Sequence, residues 1–167
     1  MLKSKWFFGF ALLSLFALLG SQAKAADEKY FKIVHAETKK VLALTDNSEE
    51  AGARCVLAKD DGSEAQQWSL VKDGEYLKIV NRKSGKVLDV NEASSDDGAE
   101  IIQWDAKDDD FDNQRWSWVG KGMAKQLKSK SSGKVLDISE ETKVVQKTAD
   151  DKNKKQLWEA VEVKAKK

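Results

Sequence analysis

Beyond residue 25 the apolar positions fall in short runs rather than in helical stripes. Residues 76–80, 87–90, 101–104 and 116–119 are rich in Val, Ile, Leu and Trp, and turn formers such as Ser84-Gly85 and Asp96-Asp97-Gly98 divide them. Branched and aromatic side chains fit a pleated surface, whereas Gly, Asp and Ser interrupt it, so the runs read as β-strands. No stretch past residue 25 sustains a 3.6-residue period, and the absence of proline is compatible with uninterrupted ladders. The spacing predicts about four strands per unit and about twelve in all.

Those units are repeats. The pattern Gln-any-Trp occurs as Gln66-Gln67-Trp68, Gln114-Arg115-Trp116 and Gln156-Leu157-Trp158, spaced 48 and then 42 residues apart. Gly85-Lys86-Val87-Leu88-Asp89 returns as Gly133-Lys134-Val135-Leu136-Asp137, with Lys40-Val41-Leu42-Ala43 as a weaker version. The openings match as well: Tyr30-Phe31-Lys32-Ile33-Val34 corresponds to Tyr76-Leu77-Lys78-Ile79-Val80, and Ala124-Lys125-Gln126-Leu127 is a worn third copy. Repeats this short cannot bury their own apolar faces, so three must close around a shared core. The predicted fold is therefore all-β: a β-trefoil of pseudo-repeats 27–73, 74–120 and 121–163, forming a closed barrel with a hairpin cap. Trp68, Trp116 and Trp158 are expected to share one core layer, and Gln66, Gln114 and Gln156 to tie loops to backbone groups.

The N-terminus stands apart from this pattern. Lys3 and Lys5 precede an uncharged, mostly apolar stretch at 6–20, and Ala23-Lys24-Ala25 fits a small-residue cleavage site. Residues 1–25 thus read as a secretory signal peptide, 26–163 as the domain and 164–167 as a basic tail, with the mature protein secreted or periplasmic. The apolar stretch is shorter than the roughly 20 residues a membrane span needs, so no span is expected. Removing this leader takes three of the 29 basic residues, leaving 26 against 28 acidic ones and a net charge of −2. A near-neutral balance gives no general attraction to nucleic acid or to a membrane surface. Cys55 is the sole cysteine, so no disulfide can form within the domain, and its alignment with Ile101 and Val144 marks it as a small buried hydrophobe.

The triple Gln-any-Trp period with Gly-Lys-Val-Leu-Asp upstream resembles the ricin-type β-trefoil lectins, a family of carbohydrate-binding modules, over nearly all of 26–163. The resemblance implies a lectin that is not an enzyme and needs no cofactor or metal. A functional repeat of that family places an aspartate after Val-Leu, an aromatic 15 residues later, and an Asn-Gln pair running into the tripeptide. The second repeat carries every element: Asp89, Trp104, then Asn113-Gln114 ahead of Trp116. By resemblance Asp89 and Asn113 would bond sugar hydroxyls, Trp104 would stack on the ring, Ile102 would line the floor and Gln114 would hold Asp89. The residue chemistry agrees, because a pyranose has a C–H face that suits an aromatic platform and a rim of hydroxyls that suits a carboxylate beside an amide.

The other repeats depart from this set. The first has Ala43, Ala58 and Ala65 in place of the aspartate, aromatic and asparagine, so no site is expected there. The third keeps Asp137 but has Lys147 at the aromatic position and Lys155 at the asparagine position, after a loop five residues shorter. Its lysines give 121–167 a net charge of +6 against −8 for 26–120, a sector that would suit anionic glycans or simply form a solvated face. The acidic run Asp105, Asp108, Asp109, Asp110 and Asp112 lacks the central glycine and terminal glutamate of an EF-hand loop and reads as a solvated flank of the pocket. His35 is the single histidine and has no evident triad or metal partner. Besides the lectin, one other function is open: a protein-binding or enzyme-inhibitor trefoil with a vestigial sugar site. The identity of the sugar and the oligomeric state are not legible.

Overall fold

This structure, a computed structural model, describes residues 29–107 and 111–164; the signal peptide expected at 1–25 lies outside the described residues. Strands form where the short apolar runs fall, four to each repeat. They are β1 (Tyr30–His35), β2 (Val41–Leu44), β3 (Cys55–Ala58) and β4 (Trp68–Asp73), then β5 (Tyr76–Asn81), β6 (Val87–Val90), β7 (Ile101–Trp104) and β8 (Trp116–Val119). The third repeat supplies β9 (Gln126–Ser129), β10 (Val135–Ser139), β11 (Lys143–Lys147) and β12 (Trp158–Glu162). Among the described residues the only helical segments are single 3-10 turns.

The first and last strands of each repeat build a ring. Antiparallel pairs β12 with β1, β1 with β4, β4 with β5, β5 with β8 and β8 with β9 run around it. An isolated bridge between Lys125 and Trp158 joins its ends, each residue donating its N–H to the other's carbonyl at 2.9 and 2.8 Å. The middle strands make three hairpins, β2 with β3, β6 with β7 and β10 with β11. They meet as a triangular cap through Lys143–Val56, Arg54–Ile102 and Glu100–Val145. This is the β-trefoil expected from the repeats.

The threefold pattern continues into side chains. Trp68, Trp116 and Trp158 are fully buried, and their indole N–H groups donate to the carbonyls of Leu42, Leu88 and Leu136 at 3.2, 3.0 and 3.3 Å. A buried indole needs such an acceptor, because an unpaired N–H in the core costs about 1–3 kcal/mol. Around them lie Ile33, Ile79 and Leu127 and, in the cap, Cys55, Ile101 and Val144. The three motif glutamines tie loops as expected: Gln66, Gln114 and Gln156 accept from the N–H groups of Asp61, Lys107 and Asp150, and donate to the carbonyls of Lys59, Asp105 and Thr148.

Candidate functional site

Strand β6 is short and buried along its whole length, with Leu88 in the core and Asp89 on the opposite side, paired across the hairpin with Ile102. The 3-10 turn Asp112–Gln114 brings two amides to that carboxylate. Asn113 Nδ2 donates to Asp89 Oδ1 at 2.9 Å and to the Val90 carbonyl at 3.1 Å. Gln114 Nε2 donates to Asp89 Oδ2 at 2.8 Å, so Gln114 holds both Asp89 and the 105–107 loop. Both amide hydrogens of Asn113 are thus taken within the protein, and the group it offers a ligand is its Oδ1 oxygen. Burial pushes the Asp89 carboxyl above its usual range, against the opposing pull of the Gln114 and Asn113 hydrogen bonds and the Lys107 charge.

Trp104 closes β7, where the last of four residues turns outward, and it is 38% exposed. Its other side rests on the first repeat: a Cβ at Gly52 would lie 3.4 Å from the indole Cζ3. The neighbour Gln103 fastens this contact. Its fully buried amide donates to the carbonyls of Ser48 and Glu50, its carbonyl accepts from Ser84 Oγ, and its backbone exchanges hydrogen bonds with Gly52 and Ala53. Asp89, Ile102, Trp104 and Asn113 thereby converge on one cavity of about 520 Å³. It has acceptor oxygens at its floor and an indole as its wall.

A family profile described as ricin-type beta-trefoil lectin domain-like matches residues 6–104. The chain belongs to this family. No curated protein sequence matches it. Among solved structures, the designed threefold-symmetric protein ThreeFoil is 35% identical, with a TM-score of 0.75 over 80% of this chain and 99% of that one. An exo-β-1,3-galactanase from Clostridium thermocellum is 34% identical with a TM-score of 0.75; the match covers 83% of this chain and 31% of the enzyme chain. The Polyporus squamosus lectin, solved with Neu5Acα2-6Galβ1-4GlcNAc, shares the fold at 21% identity, a TM-score of 0.69, and 80% and 48% coverage. Membership of this lectin-like family supports a carbohydrate-binding module.

Within this lectin domain the three repeats differ as their sequences do. Cross-strand register sets Ala58, Trp104 and Lys147 at equivalent places, opposite Val41, Val87 and Val135. In the first repeat Ala43 and Ala65 are buried and offer no polar group beyond the backbone. In the third repeat Lys155 occupies the motif position but is exposed, and Asn153, two residues earlier, reaches Asp137 Oδ2 at 2.9 Å beside Gln156 at the same distance. Asp137 also accepts from the Ile138 N–H and is 1% exposed, so its carboxylate is enclosed by internal donors.

Further lining residues of the second-repeat cavity escaped the sequence reading: Phe111 and Lys107, with Asn91, Glu92 and Ala93 at the rim. The available signal was an aromatic set in an otherwise acidic loop. Of that acidic run, Asp105 pairs with Lys86, and Asp112 with Lys130 and Arg115, while 108–110 lie outside the described residues. The turn Asn91–Ala93 has positive φ at Glu92 and Ala93, but Asp46, Asn47, Glu140 and Glu141 repeat that conformation, which ties it to the trefoil rather than to the site.

Proposed function

We propose that this chain is an exported, non-catalytic lectin module whose second repeat binds a neutral sugar. Asp89 and Asn113 would accept from hydroxyls, Trp104 would stack on the C–H face, Ile102 would form the floor and Gln114 would keep the carboxylate in place. The observation that carries this reading is the Asp89 carboxylate, gripped by two amides at the floor of a cavity walled by a partly exposed indole. Stacking removes apolar area worth roughly 25 cal/mol per Å², and each neutral hydrogen bond adds about 1 kcal/mol net. A single site of this kind has affinity between about millimolar and micromolar. Two groups suited to acid-base or nucleophilic chemistry, His35 and Cys55, are both buried, which favours binding over catalysis. Export rests on the leader-like pattern of residues 1–25, and mass spectrometry of exported protein should find Ala26 at the N-terminus.

A glycan array with the 26–167 protein, followed by calorimetry of the best neutral glycan, tests the sugar reading. Trp104→Ala should lose measurable binding, because removing a few kcal/mol from a weak site takes it out of range. Lys147→Ala, at the equivalent third-repeat position, should retain wild-type affinity. Unchanged affinity in the Trp104 variant would place the site elsewhere, and an array without any sugar signal would favour the inhibitor trefoil.

A further inference from the structure

The loop behind the second-repeat cavity differs from its two counterparts. From the outward position at the end of the hairpin to the motif glutamine there are eight residues in the first repeat (Ala58 to Gln66), nine in the third (Lys147 to Gln156) and ten in the second (Trp104 to Gln114). The residue that starts the following 3-10 turn is Ser63 in the first repeat and Asn153 in the third, small polar types suited to that position. In the second repeat it is Phe111, which is 41% exposed; of the three only Asn153 makes a side-chain capping bond, accepting from the Lys155 N–H. The amide on Asp89 comes from Asn113, inside the turn, whereas the one on Asp137 comes from Asn153 at the cap, so in the second repeat the cap position is open to an aromatic. An aromatic left 41% exposed where it lines a cavity points to a ligand.

Phe111 lines the same cavity as Trp104, and Lys107 stands with it, its Nζ 4.0 Å from the ring centroid. The Lys107 backbone is fixed at both ends: its N–H donates to Gln114 Oε1 at 3.0 Å and its carbonyl accepts from Lys78 Nζ at 3.0 Å. Gln114 therefore orients Asp89 and the base of this second wall together. At about 520 Å³ the cavity lies within the 300–1,000 Å³ range of larger ligands, and one pyranose of about a dozen heavy atoms fills only part of it.

We propose that Phe111 and Lys107 form a second sugar subsite, so that the cavity takes a disaccharide or longer glycan, one residue on Trp104 and Asp89 and the next against Phe111 and Lys107. The Phe111 ring supplies apolar contact and the Lys107 ammonium donates to hydroxyls of the second residue. This rests on the sugar reading of the second repeat.

The test is calorimetry of wild type, Phe111→Ser and Lys107→Met with three pairs: galactose and β-1,3-galactobiose, xylose and xylobiose, glucose and cellobiose. Serine is the residue of the first repeat at this place, so the turn is retained, and a thermal melt verifies folding. In at least one pair wild type should bind the disaccharide about tenfold tighter than its monosaccharide. Either variant should reduce that ratio to about threefold or less. Equal wild-type affinity for both members of every pair that binds, or an undiminished ratio in Phe111→Ser, would overturn the second subsite and leave the first standing. A glycan that the array finds outside these pairs is compared with its own terminal monosaccharide by the same ratio, and if neither the array nor the six sugars give binding, the sugar reading itself falls and this inference with it.

Discussion

Gly52 of the first repeat lies under Trp104 of the second, so close that a Cβ there would touch the indole Cζ3 at 3.4 Å. The platform of the candidate site is thus held by a loop from the first repeat, which has Ala43, Ala58 and Ala65 at the equivalent motif positions. Gly52 also has φ +85°, a conformation that costs other residues roughly 1–2 kcal/mol.

Gly52→Val should act on both counts. The branched side chain strains the loop and pushes the indole from its seat, lowering sugar affinity by about tenfold and stability by about 1–2 kcal/mol. Calorimetry and urea denaturation read the two effects. Wild-type affinity in a folded Gly52→Val protein would show that the loop does not position Trp104.

Sugar binding should weaken in mild acid. Burial raises the Asp89 carboxyl above its usual 3.8, so the proton returns at a higher pH than on an exposed aspartate. The ionised form accepts from hydroxyls. Affinity is therefore full above the raised value and lost as pH falls through it. Titration in steps from pH 7 to pH 4 should show the loss beginning above 3.8, and a flat profile would remove Asp89 from the binding step.

His35 should make the fold acid-sensitive. It faces Trp158 edge-on at 5.2 Å; its Nδ1 accepts from the Thr38 N–H, and its buried Nε2 has no partner. Burial lowers its pKa from 6.5, although Glu37, Asp137 and the backbone of Lys154 and Lys155 pull the other way. The unfolded chain then holds more protons between the folded value and 6.5, so this stability is present above 6.5 and is lost as pH falls through the window. The second repeat has Asn81 at the equivalent place, across from Trp68. Urea midpoints at pH 7.5 and 5.5 should differ in wild type, and His35→Asn should narrow the gap. An equal gap in both proteins would assign the acid sensitivity elsewhere.

The repeat period alone determined the trefoil. Three tryptophans at one motif position require three equivalent surroundings, and Trp68, Trp116 and Trp158 each found them, buried and bonded to the leucine carbonyl of their own hairpin. The trio Asp89, Trp104 and Asn113 was legible for the same reason: its spacing is measured within one repeat, where chain distance and register go together.

Only the tertiary structure decided what crosses repeats or depends on loop path. No local pattern could place Gly52 beneath Trp104, since they lie 52 residues apart and meet through Gln103 and the cap. Asn153 supplies the amide that the sequence lacks at Lys155 because a two-residue shift is easily absorbed by a 3-10 turn, which leaves motif alignment blind to which amide arrives. Phe111 and Lys107 joined the cavity for a related reason. Lys107 and Phe111, neighbours of acidic residues in sequence, line the same cavity as Trp104 and Asp89 in space.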